Sequence, residues 1–161
     1  MPALSLQRLT LTPARGVEIS VGSRRLANFL SRPFNVAYVA VSLLLIGFSS
    51  GFHLLGAAML LNFATVQGIK RICWMPRPSS RQAAHWGHGV RSGFPSGHTT
   101  PAFLLASLMT FAHPQCALAW FAAASAIAWS RVRVGAHHPY QVVVSAVLGC
   151  GLAVLTIVTV I

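Results

Sequence analysis

Three polar islands interrupt an otherwise apolar chain, and they hold most of the residues that can do chemistry. KRICWMPRP covers residues 70–78, PSGH covers 95–98 and SRVRVGAHH covers 130–138. Lys70, Arg77 and Arg131 can surround a tetrahedral dianion, the arginines with paired hydrogen bonds and the lysine as a point charge. Ser96 offers a hydroxyl. Gly97 lets its backbone N–H come close to an anion, and a helix starting just after it favours negative charge at that end. His98 and His137 remain for the roles of nucleophile and general acid. The whole chain has a single acid, Glu18. A magnesium or two-metal site built on carboxylates is therefore excluded, and no metal or cofactor is expected. The set points to metal-free phosphoryl transfer.

The elements that must position these residues are apolar. Of 161 residues, 55% are hydrophobic and 8% charged, against roughly 25% charged in soluble domains. Mean hydropathy is +0.66. Twelve Lys and Arg face the one acid, which implies anionic partners. With this hydropathy the partners are lipid or phosphate, in a bilayer, and not nucleic acid. Five apolar runs follow one another: 33–48, 52–69, 99–112, 115–130 and 142–161. They predict an all-α, polytopic membrane bundle of about five hydrophobic helices. The first two runs read as a hairpin broken at 49–51. Residues 70–98 read as a loop, and His113-Pro114 as a tight turn.

The bundle domain is then 33–161. Residues 1–32 form a basic tail with Arg8, Arg15, Arg24, Arg25 and Arg32. Its SRRLANFLSRPF stretch reads equally as an interfacial amphipathic helix or as a solvated tail. Following the runs back and forth puts 70–98 and 130–138 at one end of the bundle, so the three islands meet. Arg133 and His138 read as rim residues. His85 and His88, in HWGH, lack the partners that would complete a metal site. Cys73, Cys116 and Cys150 show no disulfide or zinc spacing and read as small buried hydrophobes.

The spacing of the three islands resembles the signature of the type 2 phosphatidic acid phosphatase (PAP2) superfamily, in its membrane lipid phosphatase branch. That signature is K-x6-R-P, P-S-G-H and S-R-x5-H-x3-D. Lys70 is followed by six residues and Arg77-Pro78, the Pro95–His98 motif is complete, and Ser130-Arg131 is followed by five residues and His137. The resemblance implies that His137 attacks phosphorus and forms a phosphohistidine. It implies that His98 protonates the leaving oxygen, and that Lys70, Arg77, Ser96, Gly97 and Arg131 hold the phosphoryl oxygens. It also implies an integral, multi-pass protein of a bacterial-type cell membrane acting on a phosphorylated lipid: phosphatidate, a prenyl diphosphate, phosphatidylglycerol phosphate or phosphorylated lipid A.

The chain departs from the signature at its last position, where Gln141 stands in place of Asp. The family Asp accepts a hydrogen bond from the nucleophilic His and stabilises its charge. The Gln141 carbonyl is expected to take over that bond without the charge. The analogous Asp→Asn change in a Ser-His-Asp triad costs about 10⁴ in kcat. A second function therefore stands beside the phosphatase: a phospholipid-headgroup-binding membrane protein with weak or no turnover. Two site orientations stay open. The family site usually faces away from the cytoplasm, whereas five spans and the N-terminal arginines put it on the cytoplasmic side.

Overall fold

The computed structural model describes residues 21–47, 52–78 and 92–160, and all regular structure among them is helical. Glu18, His85, Trp86, His88 and the 49–51 break lie outside the described residues. Each apolar run becomes a helix: α2 (Pro33–Gly47), α3 (Phe52–Ile72), α4 (Thr99–Ala112), α5 (Ala117–Arg133) and α6 (Pro139–Val160). A short helix, α1 (Val21–Ser31), precedes them. A single 3₁₀ turn, Pro114–Cys116, joins α4 to α5, at the expected His113-Pro114 site.

Three helices, α3, α5 and α6, run past one end of their apolar runs. Lys70 and Arg71 lie in the last turn of α3, and Arg131 and Arg133 in the last turn of α5. Cations suit that position because the carbonyl end of a helix is partially negative. At the other end, α6 starts at Pro139, ahead of the apolar stretch. Proline is well suited to the first helical position, where its missing N–H would have had no partner anyway.

Helix α4 is the centre of the bundle. It packs against α2, α3, α5 and α6, and buries Ala102, Leu104, Leu105, Ala106, Leu108 and Met109. Its crossing with α6 is close because Gly149 lacks a side chain. A Cβ there would overlap the Thr100 carbonyl oxygen and sit 3.0 Å from the Leu104 amide nitrogen. On the opposite side, the Tyr38 hydroxyl donates to the Ala102 carbonyl at 3.0 Å. The Tyr38 ring meets Trp120 edge-on, with centroids 5.6 Å apart. One buried tyrosine thus links α2, α4 and α5.

The N-terminal stretch that admitted two readings is helical and lies against α5. Arg133 donates to the Ser23 hydroxyl at 3.4 Å, with its guanidinium 5.4 Å from the Trp129 ring centroid. Arg133 therefore ties α1 to α5. The cysteines correct the sequence reading: Cys73 and Cys116 are exposed and Cys150 is half-buried. The first follows the end of α3 and the second lies in the α4–α5 turn, where no core surrounds them.

Large apolar side chains also point outward, among them Leu44, Leu60, Val147 and Val158. Pro139–Thr159 is long and apolar enough to cross a bilayer, with a mean hydropathy of 2.5. Helix α4 is apolar but shorter.

Candidate active site

The three islands do meet. A cavity of about 810 Å³ is lined by Lys70, Arg77, Gly97, His98, Arg131 and His137. Asn28, Ser31 and Arg32 from the α1 end, and Asn62, Phe63, Val66 and Gln67 from α3, complete much of its wall.

The S-R-x5-H spacing has a local cause. After α5 the chain turns through Gly135 at φ 70°, a left-handed conformation that glycine adopts without a Cβ penalty. The Gly135 amide donates to the Val132 carbonyl and the Ala136 amide to the Arg131 carbonyl, both at 3.0 Å. This double closure is a Schellman motif. The His137 amide also reaches the Arg131 carbonyl, at 3.2 Å. The helix terminator thus folds His137 back beside Arg131. The Arg131 Nε is buried without a hydrogen-bond partner.

The first island is held by residues that the motif does not include. Ser92 accepts Lys70 Nζ at 3.1 Å and Arg77 Nη2 at 3.4 Å on its carbonyl oxygen. Its hydroxyl lies 2.8 Å from the Cys73 carbonyl and accepts the Met75 amide at 3.2 Å. The Gly93 amide donates to the Met75 carbonyl at 2.7 Å. The segments before and after the loop therefore run side by side and bring both cations to the cavity.

Gly93 also fixes the nucleophile candidate. His137 Nδ1 lies 2.7 Å from the Gly93 carbonyl oxygen. A carbonyl can only accept, so Nδ1 carries the proton and Nε2 keeps its lone pair. This corrects the expectation for Gln141. Its Oε1 accepts the His138 amide at 3.0 Å and its Nε2 donates to the Pro76 carbonyl at 3.2 Å. Gln141 is the third residue of α6, and its bond to the amide of the residue before Pro139 is half of a capping box. It joins α6 to the first island instead of bonding the His137 ring.

Ser96 needs a second correction. It is fully buried and is not among the residues lining the cavity. Its hydroxyl accepts the Thr99 amide at 3.3 Å and contacts Thr99 Oγ1 at 3.0 Å. With its carbonyl, which accepts the Thr100 amide at 3.0 Å, Ser96 satisfies amide donors in the first turn of α4. Its amide donates to Ser145 Oγ at 2.7 Å, and Ser145 in turn donates to the Gln141 carbonyl at 2.6 Å. Gly97 does line the cavity, and a Cβ there would meet nothing within 4 Å.

Burial and charge favour neutral imidazoles at His98 and His137. Burial pushes His98 down to about 4, and the charges of Arg131, Arg77, Lys70 and Arg32 add to it. Burial pushes His137 down to about 3; the Gly93 bond opposes this, while Arg77, Arg131 and Lys70 reinforce it. The cavity thus combines several cations with two uncharged imidazoles, one with a defined tautomer. Such a site can bind a phosphate group and present a nitrogen lone pair to it.

Sequence reasoning missed Ser92, Gly93 and Ser145, which act through backbone bonds. A Ser-Gly pair three residues ahead of PSGH was the available signal for the first two. A proline at the first and a glutamine at the third position of a helix was the signal for Gln141 as a cap.

The chain is 38% identical over 72 residues to the lipid A 1-phosphatase of Rhizobium johnstonii, covering 44% of this chain and 29% of that protein. The lipid A 1-phosphatase of Rhizobium etli matches at 38% over 72 residues, 44% of this chain and 30% of that protein. The matched stretch spans less than a third of those relatives. No solved structure matches the chain. The sequence model of the PAP2 superfamily matches residues 51–160, from the start of α3 to the end of α6 and across all three islands. The chain belongs to the PAP2 superfamily.

Proposed function

We propose that this protein is an integral, multi-pass membrane phosphatase that removes phosphate from a phosphorylated lipid, without a metal, through a phosphohistidine at His137. The observation that carries the reading is the 2.7 Å approach of His137 Nδ1 to the Gly93 carbonyl, within a cavity lined by Lys70, Arg77 and Arg131. The outward apolar side chains of α2, α3 and α6 support the membrane part of the reading. The printed name of the Rhizobium relatives makes lipid A 1-phosphate a substrate to test beside phosphatidate and a prenyl diphosphate.

In the first step His137 Nε2 attacks phosphorus as the bond to the lipid oxygen breaks. Lys70, Arg77, Arg131 and the Gly97 amide hold the equatorial oxygens, where charge is greatest in the transition state. His98 gives its proton to the leaving oxygen. The proton arrives with the substrate: a phosphate monoester has its second pKa at about 6. The bound anion also offsets the cations that, after burial, keep His98 deprotonated. In the second step water attacks the phosphohistidine and passes a proton to His98, and the P–N bond breaks to release phosphate. The Gly93 carbonyl holds the Nδ1 proton throughout. Being neutral, it stabilises the charged imidazole less than a carboxylate would.

Gln141 favours a second reading, headgroup binding with little turnover, because no carboxylate stands beside His137 among the described residues. One experiment separates the two. Phosphate release from the three lipids is measured in detergent micelles with a chelator present. Wild type is expected to release phosphate, and His137→Ala to fall to background. Binding without release in wild type would favour the second reading.

A further inference from the structure

The three islands supply three cations to the cavity, and the structure adds a fourth. Arg32 lines it together with Lys70, Arg77 and Arg131. It belongs to none of the islands and lies ahead of the stretch 51–160 that the family model matches. Its backbone is held on both sides. The Arg32 amide donates to the Phe29 carbonyl of α1 at 3.4 Å, and its carbonyl accepts the Val36 amide of α2 at 3.1 Å. Pro33 opens α2 and restricts the residue before it. Helix α1 packs against α5, whose last turn holds Arg131. The corner between α1 and α2 thus brings Arg32 to the cavity.

Arg32 stands nearer one histidine than the other. Its charge acts on His98 and on Arg131, whereas the cations that act on His137 are Arg77, Arg131 and Lys70. In an in-line displacement the attacking and leaving atoms lie on opposite sides of phosphorus. With His137 as nucleophile and His98 beside the leaving oxygen, Arg32 is on the leaving-group side. Arg32 is exposed while Lys70 is buried, so it meets the part of the headgroup beyond the scissile phosphate. No carboxylate among the described residues faces it. A phosphate monoester carries about −1.5 to −2 charge at pH 7, which the three island cations already match. A fourth cation on the leaving-group side suits a second anionic group.

We infer that Arg32 is a specificity-determining residue that binds a second phosphate group, the one on the leaving side of the scissile phosphate in a lipid diphosphate. The inference rests on the reading of the cavity as a lipid phosphate site with His137 as nucleophile. With such a substrate, His137 Nε2 bonds to the terminal phosphorus as the bond to the bridging oxygen breaks. The electron pair leaves with the lipid monophosphate, and Arg32 holds the charge that collects there through paired hydrogen bonds. A lipid monophosphate has no anionic group at that position.

The test measures binding in His137→Ala protein, so that it does not depend on turnover. Farnesyl diphosphate and farnesyl monophosphate, which share one chain, are compared in detergent micelles. The diphosphate is expected to bind more tightly. Arg32→Gln should lower the ratio of the two affinities by about tenfold, the value of one hydrogen bond to a charged group. Arg32→Lys should keep part of the ratio. Arg25 is an exposed cation of α1 that is not among the residues lining the cavity, and Arg25→Gln should leave the ratio as it is. Equal affinities for the two ligands would overturn the inference, as would a ratio that survives Arg32→Gln. A ratio that Arg25→Gln lowers as much as Arg32→Gln would also overturn it and mark Arg32 as an interface cation only. Failure of wild type to hydrolyse either ligand would count against the phosphatase reading alone, and the affinity ratio would still decide the role of Arg32.

Discussion

Gln141 holds together two parts of the site that are far apart in sequence. Its carbonyl receives the His138 amide, its amide group gives a proton to the Pro76 carbonyl, and Gly93 fits beneath it. A Cβ on Gly93 would come 3.1 Å from Gln141 Nε2, 3.0 Å from the Pro76 oxygen and 3.2 Å from Arg77 Cγ. The obvious repair, Gln141→Asp, is therefore expected to harm the enzyme. Asp is shorter and has no N–H for Pro76, and its charge would face a carbonyl oxygen. Phosphate release by Gln141→Asp should fall about tenfold or more, as expected when a buried hydrogen-bonded group loses its partner. A gain would mean that the missing carboxylate limits the reaction. The cations and both histidines were legible in the sequence because the short spacings of each motif are set by local structure. Gln141 and Ser96 were misread because their partners, Pro76, Thr99 and Ser145, are a matter of tertiary packing and helix capping that the motif pattern does not encode.

At the scale of elements, the site is assembled by helix ends. Helices α3 and α5 finish at the cavity with Lys70 and Arg131, and α4 begins there beside Gly97 and His98. Apolar runs joined by short turns already predict this convergence, since each run must cross and return. The boundaries were less legible. Hydropathy drops where charges begin, yet cations at a C-terminus and proline at an N-terminus keep the chain helical. The lateral packing was not legible at all. Gly149 looks like any glycine in an apolar run, and only the α4 backbone beside it gives it a role. Gly149→Ala is expected to force α4 and α6 apart and destabilise the fold by about 1–3 kcal/mol, the usual cost of overpacking. Thermal unfolding in detergent would check this. An unchanged midpoint would mean that the crossing relaxes freely.

The molecule as a whole divides its surface between two tasks. Its helices turn leucines and valines outward, while four of its cations, Arg32, Lys70, Arg77 and Arg131, line one cavity. On the proposed reading, those charges hold an anionic headgroup and the apolar faces meet the chains behind it. Composition alone pointed to lipid and phosphate. In the proposed mechanism, which His137 nitrogen attacks phosphorus is set instead by the Gly93 carbonyl. The most direct test is to follow the phosphoryl group itself. Wild-type protein is mixed with a lipid substrate carrying radiolabelled phosphate and quenched in alkali within the first turnover. Acid-labile label on Nε2 of His137, absent from His137→Ala, is the predicted result. Turnover that leaves no label on His137, or label on Nδ1, would contradict the account.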